Sequence, residues 1–269
     1  MKKERRAKKP KKTFSNRSTS RALDIAIIVL AIALVLVISV GTIKDKRTFA
    51  KGQSNYNVSS ESNNKGQNNE EKTSSNVYEK IKTGEEVNIL VLGNGIGLSE
   101  GKSDESGNWT SSLSKWLEET YKSKANITNL SQDKATVKTG LEALAQNKDN
   151  FDLAYIIFGQ NDQKALKPKE FKEDYEKIIE SLKERNKNIV IVPIIENSLR
   201  KKNEYTNAIE ELAKANNLTV IDMATVFTKD PAPYAKLTIK GGIYPNNLGY
   251  SVYFSNIKSS IEANVSALN

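Results

Sequence analysis

No cysteine and no histidine occur anywhere in this 269-residue chain. The first absence excludes disulfides, so a folded part outside the cytoplasm must rest on its own core. The second removes the side chain that titrates nearest neutral pH, and with it every hydrolytic triad built on imidazole. Net positive charge is also missing from most of the chain. Residues 1–21, MKKERRAKKPKKTFSNRSTSR, hold ten Lys or Arg and one Glu, which accounts for the whole net charge of +9. The remainder is neutral. A nucleic-acid groove needs its positive charge on the folded part, so no nucleic-acid partner is expected.

The segment after the basic tail is apolar. Ala22 to Ile43, ALDIAIIVLAIALVLVISVGTI, carries a single charge, Asp24. Its length suits one helical crossing of a hydrocarbon core roughly 30 Å thick. The cations before it predict a cytoplasmic N-terminus. The run is long for the apolar part of a cleaved signal peptide, and no A-x-A site lies close behind it. An uncleaved signal anchor is therefore expected, a single-pass membrane segment with the C-terminal part outside the cytoplasm. The absence of cysteine and the Lys/Asn-rich composition suit a bacterial envelope protein.

Large aliphatic side chains are scarce from Lys44 to Glu85, where Ser, Asn, Lys and Glu dominate. Such a segment buries too little apolar surface to offset its ordering entropy. It is read as a flexible stalk over 44–85, leaving a folded domain over 86–269. No internal repeat is present.

From Val87 onward, short aliphatic runs alternate with amphipathic segments. Strands are predicted at Asn88–Gly93, Ile127–Ser131, Phe151–Gly159, Asn188–Ile195 and Leu218–Met223. Helices are predicted at Trp109–Lys124, Val137–Gln146, Lys167–Lys187, Asn203–Asn216 and Leu248–Val265. The third of these places Phe171, Tyr175, Ile178, Ile179 and Leu182 on one face. Continuous aliphatic strands between helices require a parallel sheet covered on both faces. The expected fold is a three-layer α/β/α domain with a parallel five-stranded sheet, of flavodoxin-like type. In such folds ligands bind beyond the carboxyl ends of the strands.

The loops at those ends read LGNGIG after the first strand, NLSQDKATV near the second, FGQND after the third, and GGIYPNNLGY before the last helix. Their order and spacing resemble the SGNH (GDSL-type) hydrolases, from Asn88 to about Ile261. That resemblance implies an esterase or acyltransferase fold. The family carries G-D-S, a Gly, G-x-N-D and D-x-x-H-P-N in these four blocks. Here the third block is intact as Gly159, Gln160, Asn161 and Asp162, and the last keeps Pro245, Asn246, Gly249 and Tyr250. The nucleophile's position falls on Gly95, after Asn94. The second-block Gly falls on Lys134, the acid on Gly241 and the base on Tyr244.

Acyl transfer needs a hydroxyl whose proton passes to a base held by a carboxylate. Gly95 has no hydroxyl, Gly241 has no side chain, and a phenol with a pKa of about 10 is a poor base. With nucleophile, base and acid lost together, the catalytic triad is degenerate. One role that the resemblance implies can survive, an oxyanion-type set of the Gly95 N–H, the second-block N–H and the Asn161 amide. The candidate ligand pocket is therefore Asn94, Gly95, Lys134, Gly159, Asn161, Asp162 and Tyr244, for a glycan or an acylated sugar.

Other readings are open. Asn161 and Asp162 can serve only to brace their loop. Ser99 is a candidate displaced nucleophile, but it has no base to activate it. Gly93, Gly95 and Gly97 lack the spacing and the trailing helix of a phosphate loop. Asp222, Trp109 and Trp116 are read as structural. No metal and no cofactor are expected. The function expected is a membrane-anchored binding or scaffolding module at the cell envelope, partnered by polysaccharide or by envelope assembly proteins. The alternatives are an active carbohydrate esterase or O-acyltransferase with a non-standard catalytic set, and a purely structural partner in a polysaccharide assembly complex.

Overall fold

The computed structural model describes residues 76–229, 234–239 and 242–268. The chain divides into two units, Met1–Asn69 and Glu70–Asn269, and every described residue belongs to the second. The predicted membrane span Ala22–Ile43, the basic tail, most of the stalk, and Gly241 lie outside the described residues. Among those described, no helix is long and apolar enough to cross a membrane.

The described part opens with helix α1 (Val77–Thr83) and strand β1 (Val87–Gly93), then α2 (Trp109–Tyr121), β2 (Ala125–Asn129) and α3 (Val137–Gln146). Next come β3 (Leu153–Ile157), the short α4 (Asp162–Ala165), α5 (Pro168–Arg185), β4 (Val190–Ile195) and α6 (Glu204–Ala215). The chain finishes with β5 (Ile221–Asp222), α7 (Met223–Lys229), α8 (Tyr234–Leu237) and α9 (Asn247–Ser266). The sheet order is β2-β1-β3-β4-β5 with every pairing parallel, as the alternation of strands and helices predicted.

The two faces of β1 separate its aliphatics, as the pleat requires. Ile89 and Val91 join the layer formed by α1, α2 and α9, whereas Leu90 and Leu92 join that of α3, α5 and α6. The five residues predicted as the buried face of α5, from Phe171 to Leu182, are all buried.

Most predicted element ends shift by one to three residues, and two differences change what the segment is. Residues 76–85, expected as the end of the stalk, are folded instead, with Val77–Thr83 forming α1. Asn76 and Glu79 form a reciprocal cap: Asn76 Oδ1 accepts from the Tyr78 N–H at 3.0 Å and Glu79 Oε2 from the Asn76 N–H at 3.0 Å. Gly84 closes the helix in the left-handed conformation, φ 77°. Val77, Tyr78 and Ile81 are buried in the core, and the Lys80 ammonium meets Asp152 at 2.6 Å. Three apolar residues within a polar run were too few to mark a helix by composition. The second difference is β5, expected over Leu218–Met223. It pairs only as Ile194↔Ile221 and Ile195↔Asp222, since it meets just the tail of β4.

Ile81→Ala is expected to lower the unfolding free energy by about 2–5 kcal/mol in urea titrations, the cost of a core truncation. A change under about 0.5 kcal/mol, the norm for solvated positions, would return this segment to the stalk.

Candidate functional site

The segments after β1, β2 and β4 meet the loop before α9, and this brings Gly95 and Tyr244 together. A Cβ built on Gly95 would lie 2.8 Å from Tyr244 Cε1 and 3.1 Å from its Cζ. The phenol ring thus fills the volume into which a side chain at residue 95 would project. Tyr244 is fixed from its far end, where its hydroxyl donates to Asp133 Oδ1 at 3.1 Å. Burial, reinforced by the neighbouring Asp133 carboxylate, pushes its pKa up to about 12. The phenol therefore stays protonated at neutral pH and cannot act as a general base.

The third block folds as a brace. Asp162 is buried; its Oδ1 accepts from the Val137 N–H at 2.7 Å, at the start of α3, and its Oδ2 from the Gly159 N–H at 2.8 Å. Burial raises its pKa, opposed by those backbone donors. Gly159 adopts φ 141°, a conformation that side-chain-bearing residues rarely reach. Asn161 Nδ2 donates to the Ala135 carbonyl at 3.1 Å, which uses one of its two amide donors.

Lys134 takes the left-handed conformation, φ 57°, a backbone that favours glycine. Its side chain is 83% exposed and lies 3.5 Å from Asp133, so its charge faces solvent. Ser99 is buried, and its Oγ accepts from the Trp109 N–H at 3.3 Å, which leaves it in a structural role. Asp222 Oδ1 accepts from the Thr225 N–H at 2.9 Å and caps α7. Trp109 Nε1 donates to the Ile96 carbonyl at 3.0 Å, and its ring meets Tyr155 edge-on at 5.9 Å. Trp116 packs edge-on against Tyr121 and Phe254. Among the described residues, no group of three or more acidic side chains could hold a metal ion.

One residue that the sequence reading did not single out connects these loops. Glu196, directly after β4, is completely buried. Its Oε1 accepts from the Gln160 N–H at 3.0 Å and its Oε2 from Asn94 Nδ2 at 3.1 Å. Asn94 in turn accepts from the Ile96 N–H at 3.0 Å through Oδ1. A single carboxyl thus joins the ends of β1, β3 and β4. Burial pushes its pKa up to about 7. Next to it, Asn197 donates through Nδ2 to Tyr234 Oη at 3.1 Å and to the Ile243 carbonyl at 3.2 Å, and accepts from Tyr253 Oη at 2.8 Å. The end of β4 therefore holds the loop that carries Tyr244. The available signal was an acid placed immediately after an aliphatic strand, in VPIIEN.

The site has donors and a titratable acid, and its hydroxyl–carboxylate pair is the protonated phenol of Tyr244 on Asp133.

Comparisons with known proteins agree with this architecture. The family model for the GDSL-like lipase/acylhydrolase family matches residues 92–252. A two-domain esterase active on acetylated mannans superposes with a TM-score of 0.59 at 17% identity, over 70% of this chain and 53% of that one. The chain thus spans about half of that protein. TesA superposes at 0.53 with 18% identity, over 65% of this chain and 98% of its own. A lipase/acylhydrolase from Enterococcus faecalis does so at 0.53 with 21% identity, over 66% and 96%. These likenesses carry the fold. No curated protein matches the sequence.

The Glu196 carboxyl predicts a pH dependence. An unfolded Glu titrates at about 4.3 and this one at about 7, so between those values the folded protein holds more protons. Stability then falls as pH rises through that window, by roughly 4 kcal/mol in all. Urea midpoints from pH 4 to 8 are expected to show the decline, and Glu196→Gln is expected to flatten it. An equal slope in both proteins would exclude Glu196 as its source.

Proposed function

The chain belongs to the GDSL-like lipase/acylhydrolase family, and from that premise we propose that it is a non-hydrolytic member, a membrane-anchored module that binds envelope glycan or acylated sugar. The carrying observation is the contact between Tyr244 and Gly95, in a chain with no imidazole. In a working serine hydrolase, loss of the nucleophile or of the base alone removes about six orders of magnitude of turnover. Here glycine and a protonated phenol stand at those two positions.

The donors that support ligand binding are Asn161, with one amide N–H beyond its bond to Ala135, and the backbone at Gly95 and Lys134. The Ala22–Ile43 segment would hold the domain at the outer face of the cell membrane, with the basic tail in the cytoplasm. Binding or scaffolding in a polysaccharide-handling assembly fits such a placement.

The full-length protein is expected to hydrolyse p-nitrophenyl acetate no faster than buffer does. Turnover that disappears in Ser99→Ala or Tyr244→Phe would establish the esterase reading instead. Calorimetry against cell-wall glycan fragments is expected to show binding that Asn161→Ala weakens by about tenfold, the worth of one hydrogen bond. Unchanged affinity in that variant would remove Asn161 from the pocket.

A further inference from the structure

A second polar surface borders the loop that pins Tyr244. The chain leaving β2 turns through Gln132 and Asp133. Asp133 takes the Tyr244 hydroxyl, whereas Gln132 lines a groove of about 420 Å³ between that loop and the C-terminal half of α3. The groove is shallow and open to solvent, so a ligand would lie along it and not be enclosed. Among the described residues, no charged side chain lines the groove. Carboxamides dominate it, with Leu130 and Ala143 as its apolar members.

Two of those carboxamides are already used. Asn129 donates to the Gly97 carbonyl at 2.8 Å and accepts from the Ser131 N–H at 3.0 Å, and Asn147 is bonded to Asp149. Both therefore form a fixed polar wall. Gln132 and Gln146 are exposed and keep their amides for a ligand. Ser131 also lines the groove and has a buried Oγ with no hydrogen-bond partner, so rotating it toward a ligand would break no bond. A wall of amides without charge pairs best with a neutral molecule rich in hydroxyls, since each amide offers both donors and an acceptor. It offers too little apolar area to seat peptide side chains and nothing to neutralise an anion.

We propose that this groove is a subsite for a neutral oligosaccharide, with Gln132 and Gln146 as its recognition residues. It rests on the glycan reading above and extends it: a chain seated at the Tyr244 rim would continue past Asp133 into the groove.

The test is calorimetry on the full-length protein in detergent with chitopentaose and mannopentaose as separate probes. Asn161→Ala is compared with the pair Gln132→Ala and Gln146→Ala. Both glutamines are on the surface, so thermal unfolding is expected to be unchanged. The proposal predicts that the glutamine pair weakens binding of at least one sugar by about tenfold or more. Loss in Asn161→Ala with full affinity in the glutamine variant would overturn the groove and leave the pocket. Loss in the glutamine variant alone would uphold the groove and remove the pocket. Failure of both sugars to bind, or binding of a neutral peptide in their place, would overturn the subsite.

Discussion

The ring of Tyr244 and any side chain on residue 95 compete for one space, and the rest of the site is arranged around that exclusion. Protein interiors are packed closely enough that such a conflict cannot be absorbed without displacement. A carbon on residue 95 at 2.8 Å from the ring would force Tyr244 outward and stretch its hydroxyl away from Asp133. Glycine at 95 and tyrosine at 244 therefore fit each other, one by yielding volume and the other by filling it. The conformation of Gly95 does not itself demand glycine, since its φ is not among the positive values.

Beneath this contact lies a polar knot centred on Glu196. A carboxyl removed from water is costly when ionised, and the Asn94 amide together with the Gln160 N–H offset part of that cost. Asn at 94 is suited to this role because an amide donates where a second carboxylate would repel. Asn197 extends the same strand end to Tyr234, Tyr253 and the Ile243 carbonyl. The two polar residues after β4 thus set the position of the loop that delivers Tyr244.

Much of the fold was legible in the sequence because its signals are local. The aliphatic runs of β1, β3 and β4 and the stripe of α5 each declare their period within a few residues, and α3 was placed at its observed bounds. The loop before α9 was also legible, since the fourth motif preserved its order. Long-range pairings were not. Glu196 meets Asn94 across 102 positions and Tyr244 meets Asp133 across 111, and no periodicity reports such a contact. Helix α1 was hidden for a different reason: its stability comes from packing against α2 and α9, whereas its composition resembles the polar run before it.

Residues 95 and 244 exclude each other sterically. A double-mutant cycle on unfolding free energy measures that exclusion, using Gly95→Ala, Tyr244→Ala and the two together. Gly95→Ala is expected to cost about 1–3 kcal/mol when Tyr244 is present and less when it is absent, where the Glu100 Cβ at 3.1 Å still crowds the added carbon, a coupling of at least roughly 1 kcal/mol. Additive costs, with Gly95→Ala equally tolerated whether or not Tyr244→Ala accompanies it, would contradict it.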